Sequence, residues 1–148
     1  MSEQPTILIT EDDDGHAFLI EDNLRRAGVN APFLRFSDGE EVLKFLSGET
    51  TEPKFERGRA YLLLLDIRMP KVDGVEVLRR IKEDPELHKL PVIILTTTDD
   101  PREVERCHEL HCNNYIQKPV SWERFASAIT QLGKFLSLLH LPRMEQPT

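Results

Sequence analysis

Five short strand-like segments, each followed by a stretch with helical spacing, restrict the fold of this chain more than any other feature. Ile7-Leu8-Ile9 is the first. Ala17, Ile20, Leu24 and Ala27 follow at intervals of 3, 4 and 3, one face of a helix that Gly28 ends as a cap. Residues 32–37 read as a second strand, and Ser37-Asp38-Gly39 opens a second helix through Val42, Phe45 and Leu46, closed at Gly48. The charged stretch ETTEPKFERGRA at 49–60, with Pro53 and Gly58, is expected to be an exposed loop. Residues 62–65 and 92–95 are continuous apolar runs of the fully buried strand type. Val75, Leu78 and Ile81 mark a third helix ending near Asp84-Pro85. Val104, Cys107 and Leu110 mark a fourth, begun after Asp99-Asp100-Pro101. Residues 114–117 read as a fifth strand. A fifth helix starts at Ser121 and carries Trp122, Phe125, Ile129, Leu132, Phe135, Leu136 and Leu139. This alternation implies an α/β fold, (βα)5, with an open, doubly wound parallel sheet covered by helices on both faces.

The 148 residues suffice for one domain with a real core, expected over residues 6–141 with mobile termini at 1–5 and 142–148. The net charge of −7 offers no basic stripe for a nucleic-acid backbone. No apolar stretch approaches a membrane span, and the N-terminus lacks the basic and apolar regions of a secretory signal. A cytoplasmic protein is expected, with Cys107 and Cys112 as reduced thiols.

In such a sheet, ligands bind outside the carboxyl ends of the strands. Strand one ends in Glu11-Asp12-Asp13-Asp14, strand three in Asp66, strand four in Thr96-Thr97-Thr98 and strand five in Lys118-Pro119. Carboxylates gathered at one edge repel each other and stay ionised together only if a cation joins them. Oxygen ligands with room for water suit Mg²⁺. One carboxylate could then act as a nucleophile toward a phosphoryl group, with Lys118 and the Thr96 hydroxyl holding its oxygens. Each residue alone has a plainer reading: Asp13 a helix cap, Thr96 a strand end, Lys118 a surface charge. Four strand ends agreeing raises the functional reading above it.

With ILITEDD at 7–13, LLLLDIRMPKVDG at 62–74, PVIILTT at 91–97 and YIQKP at 115–119, the chain resembles the receiver domain of two-component response regulators over about residues 6–140. The resemblance implies a flavodoxin-like, CheY-like fold with five strands in the order 2-1-3-4-5. It makes Asp66 the phosphoacceptor and Glu11 and Asp12 the acidic pair that binds Mg²⁺, with Asp12 the more direct ligand. Arg68 takes the position whose backbone carbonyl completes the metal site. Thr96 is the switch hydroxyl, Tyr115 the switch aromatic and Lys118 the lysine on a phosphoryl oxygen. Pro119 follows a peptide bond that is usually cis in the family, and Thr97 sits where a small residue leaves access to the phosphoryl group. Met69-Pro70 and Asp73-Gly74 are read as shaping the turn into the third helix, Gly for its unusual dihedrals.

The long 49–60 loop, LHCNNY at 110–115 with His111 where receivers commonly have Gly, and the tail FLSLLHLP at 135–142 resemble the single-domain regulators that serve phytochrome-type histidine kinases. The expected partners are therefore a histidine kinase of the bacteriophytochrome type and a second copy of the chain. Leu138 and Leu141 lie off the buried stripe, and pairing is expected through the fourth helix, fifth strand, fifth helix and C-terminal tail. A phosphatase reading wants a second Asp two residues after the nucleophile, where Arg68 stands. The chain is thus expected to promote only its own phosphorylation and dephosphorylation. A phosphate-independent docking dimer is the alternative. No segment after the fifth helix is long enough for a DNA-binding domain, so output is expected through protein contacts. CHELHC at 107–112 has too few residues on one helix for four ligands to converge on zinc, and Cys107 is expected on the buried face.

Overall fold

The computed structural model describes residues 5–56, 58–67, 69, 72–96, 101–110, 114–117, 122–136 and 143–144, of which 96, 101, 103, 114–117, 122, 124–126, 135, 136 and 143 are described through their backbone alone. Its elements run β1 (Thr6–Thr10), α1 (Asp14–Arg26), β2 (Phe33–Phe36), α2 (Gly39–Leu46), β3 (Arg59–Leu65), α3 (Gly74–Glu83), a 3-10 turn (Leu87–Lys89), β4 (Val92–Thr96), α4 (Pro101–Glu109), β5 (Asn114–Gln117), α5 (Trp122–Leu136) and β6 (Arg143–Met144). The first five strands are parallel in the order β2-β1-β3-β4-β5. This is the doubly wound order, which places β1 and β3 side by side at the sheet's centre.

Both faces of the sheet are covered, which explains the unbroken apolar runs. Ile7, Ile9, Leu62, Leu64, Ile93 and Leu95 pack with Ala17, Ile20 and Leu24 of α1 and Ile129 and Leu132 of α5. Leu8, Leu63, Leu65, Val92 and Ile94 pack on the opposite side with Val42 and Phe45 of α2, Val77, Leu78 and Ile81 of α3, and Cys107 of α4. The period of two along each strand sorts the side chains between these layers.

The helix starts follow local chemistry. Asp13, Asp38 and Asp73 each sit in extended backbone as N-caps, accepting from the N–H groups of His16, Glu41 and Glu76, each at 2.9 Å. Gly28 and Gly48 adopt positive φ, 98° and 80°, after α1 and α2, as caps of that kind should.

Two expectations need correction. The 49–60 segment is not wholly exposed. Phe55 is buried, stacked on Tyr61 at 5.0 Å between ring centroids and set edge-on to Phe45 at 5.8 Å. The Glu56 N–H donates to the Tyr61 hydroxyl at 2.9 Å, and β3 already begins at Arg59. Nor is all of 142–148 a free tail: β6 pairs antiparallel with the start of β3, Arg59 opposite Met144. The Met144 side chain is fully buried, and its carbonyl accepts from the Gly58 N–H at 2.7 Å. The Lys118-Pro119 bond lies outside the described residues; among those described, the cis bond is Glu52-Pro53.

Candidate functional site

The ladder between β1 and β3 pairs Thr10 with Leu65, and the Asp66 N–H donates to the Thr10 carbonyl at 3.0 Å. On the other side of β1, the Glu11 N–H donates to the Phe36 carbonyl at 3.0 Å. Glu11 and Asp66 are therefore held as the first residues past two neighbouring parallel strands. Rigid strands, rather than loops, set their spacing.

The carboxylates of Glu11, Asp12 and Asp66 each offer an oxygen, all within 4.8 Å of one another. Glu11 and Asp66 are buried and Asp12 is exposed. At 4.8 Å two unit charges repel by about 3.5 kcal/mol at an effective dielectric of 20. The array therefore favours a cation at its centre. An all-oxygen donor set selects a hard divalent ion, and ligands across an octahedral Mg²⁺ sit roughly 4 Å apart, close to the spread seen here. The residues present fit such an ion.

Helix α3 reinforces the placement of Asp66. The Gly74 N–H donates to the Ile67 carbonyl at 2.7 Å. A Cβ on Gly74 would lie 2.2 Å from the Asp66 carbonyl oxygen. Glycine is needed here for close approach rather than for its dihedrals, because its φ is not left-handed.

Of the other residues expected at the site, Thr96 is the last of β4, and Tyr115 pairs with Ile94 in the β4–β5 ladder. Only their backbones are described. Arg68, Thr97, Lys118 and Pro119 lie outside the described residues. At CHELHC, Cys107 is fully buried in the core while His108 is exposed, so these two do not face one ligand. His111 and Cys112 lie outside the described residues.

Two residues at this edge escape a reading by motif. His16 Nδ1 lies 3.2 Å from Glu11 Oε1. Arg35 of β2 donates to the Glu11 carbonyl from Nε at 3.2 Å and from Nη2 at 2.8 Å, and through Nη1 it pairs with Asp14. The available signal for His16 is its place three after the N-cap Asp13, which turns it back toward the end of β1. Arg35 carries no local signal, since it meets Glu11 across 24 residues of chain.

Comparison with known proteins agrees with this geometry. The family model for the response regulator receiver domain matches residues 7–130. Response regulator Rcp1 of Synechocystis sp. is 34% identical over 113 residues, 76% of this chain and 75% of that protein. The Mn²⁺-bound form of Rcp1 superposes with a TM-score of 0.85 at 29% identity, covering 93% of this chain and 99% of that one. A receiver domain from Rhodospirillum rubrum is 49% identical with a TM-score of 0.87, covering 95% and 99%. The phosphorylated cyanobacterial phytochrome response regulator RcpA gives a TM-score of 0.83 at 30% identity, covering 95% and 99%. Receiver domains bind Mg²⁺ or Mn²⁺ at an acidic pocket of this kind. Among the described residues, no helix is long and apolar enough to cross a membrane. The chain belongs to the response regulator receiver domains of two-component signalling, with phytochrome-associated regulators among its relatives.

Proposed function

We propose that the chain is a response regulator receiver that accepts a phosphoryl group on Asp66 from a histidine kinase. The observation that carries this reading is the meeting of Glu11, Asp12 and Asp66 at the carboxyl edge of β1 and β3. An Asp66 carboxylate oxygen attacks the phosphorus of the kinase's phosphohistidine. A P–O bond forms as the P–N bond breaks, and the electron pair leaves on the imidazole nitrogen. Water later attacks the aspartyl phosphate, returning the carboxylate and inorganic phosphate.

Mg²⁺ bound by Glu11, Asp12, Asp66 and the Arg68 backbone carbonyl would supply the positive charge that developing phosphoryl oxygens need. Lys118 would neutralise a further oxygen, and the Thr96 hydroxyl would donate to another as Tyr115 turns inward. The face formed by α4, β5 and α5 would then change its preference for partners, a local charge event biasing a two-state element. A phytochrome-type histidine kinase is the phosphoryl donor in this reading, supported by the likeness to RcpA. A homodimer through the same face and the C-terminal tail is its assembly.

The test is phosphotransfer from purified histidine kinases, phytochrome-type ones included, to wild-type protein and to D66N. Wild type should take up label only with Mg²⁺ present, and D66N should take up none. Label on D66N would overturn the assignment.

A further inference from the structure

The metal reading leaves one interaction at its edge without a role. Glu11 is buried, 2% exposed on its side chain, and Oε1 of its carboxylate faces His16 Nδ1 at 3.2 Å. An ionised carboxylate can only accept, so the hydrogen between them belongs to Nδ1. The main chain that carries the imidazole is itself fixed, because the His16 backbone N–H donates to the N-cap Asp13 side chain in the first turn of α1. The Glu11 main chain is fixed too: its N–H is held by the Phe36 carbonyl, and its own carbonyl accepts from both Nε and Nη2 of Arg35.

We infer that His16 is a positioning residue for the divalent-cation site. It orients the Glu11 carboxylate toward Asp12 and Asp66. Resting on the metal-dependent reading above, this goes beyond it by assigning a residue outside the ligand set. The hydrogen bond constrains rotation of a carboxylate whose backbone Arg35 and β2 already clamp. Without it, Glu11 would spread over orientations of which only some meet the cation, and like-charge repulsion from Asp12 and Asp66 would favour the others. Groups that hydrogen-bond to metal ligands are typically worth 10- to 100-fold in metal affinity.

The experiment is titration of the full chain with Mn²⁺, read by the paramagnetic signal of the free ion, for wild type, H16L and H16N. Asparagine keeps an amide N–H near the position of Nδ1, whereas leucine keeps bulk without a donor. Expected are a ~10- to 100-fold weaker Mn²⁺ affinity for H16L and recovery in H16N to within a few-fold of wild type. Metal-free melting curves of all three establish that each variant is folded at the temperature of the titration. H16L binding like wild type, or H16N binding as poorly as H16L, would overturn the role of His16 and leave the metal site standing. Wild type that binds no Mn²⁺ would instead overturn the metal reading, and the inference with it.

Discussion

A Cβ at position 74 would sit 2.2 Å from the carbonyl oxygen of Asp66 and 2.6 Å from the Cα of Ile67. Both are backbone atoms, so neither can swing aside. G74A must push α3 away from the end of β3, and overpacking of this kind costs about 1–3 kcal/mol. Urea unfolding should show that loss, and Mn²⁺ affinity should fall with it as Asp66 moves. An unchanged unfolding midpoint would mean that α3 yields without strain. The Asp73-Gly74 pair is visible in the sequence as a turn, but the reason for the glycine is not, because the clash is with residues of a different element. On the same helix, Glu76 is held by hydrogen bonds from Arg79 and then Arg80, which lower its carboxyl from an ordinary 4.5 to about 2. A depressed carboxyl contributes stability above its ordinary value. That contribution is lost as pH falls through about 4.5 to 2. Glu76 is about a third exposed, so solvent screening holds its contribution to under ~1 kcal/mol. E76Q should therefore be less stable than wild type at pH 6, with the gap narrowing steadily as pH falls from about 4.5 toward 2. A gap that persists in acid would exclude the ion pairs as its cause.

At the scale of elements, the least expected features are the 49–58 segment and β6. Together they close the amino end of β3, opposite the acidic edge. Phe55 and Met144 both reach the core layer formed by Phe45, Tyr61 and Leu63. Removing a buried methionine side chain to alanine costs about 2–5 kcal/mol. M144A should lower the unfolding free energy by that amount while leaving the proposed phosphorylation of Asp66 intact, since the two ends of β3 are held by separate contacts. An exposed Met144 would give a change under ~0.5 kcal/mol. These elements were hard to read for a physical reason. A two-residue strand has no periodicity, and one phenylalanine among charges reads as a loop until its partners are known. The strands and helices with several turns of pattern were legible: the apolar stripes of α1 and α2 face the core as the spacing implied, and α3 buries Leu78 and Ile81 as expected, with Val77 beside them and Val75 only half-buried.

For the molecule as a whole, the proposed cation site at the acidic edge should make stability depend on the divalent ion. A ligand present at 100 times its dissociation constant stabilises the folded state by about 2.7 kcal/mol. For a domain of this size that corresponds to a rise of roughly 5–10 °C in melting temperature. Mg²⁺ should produce such a shift in wild type and little in D12N. Without metal, D12N should melt above wild type, because one of three mutually repelling charges is gone. A metal-free D12N that melts lower would show that Asp12 contributes to the fold by another route. The order of strands carries the same logic. Parallel β1 and β3 lie together because each crossover helix returns on a defined side, and this brings residues 11 and 66 to one edge.

What the sequence determined by itself was the five strand–helix units, the layers they form and the carboxylates that belong to the strand ends. Periodicity, caps and turn chemistry are local, and so they can be read in order along the chain. The tertiary structure alone decided that Gly74 must lack a side chain, that Arg35 and His16 brace Glu11, and that Met144 and Phe55 join the core. Each of these rests on a distance between groups that only the folded sheet brings together, and no local pattern records it.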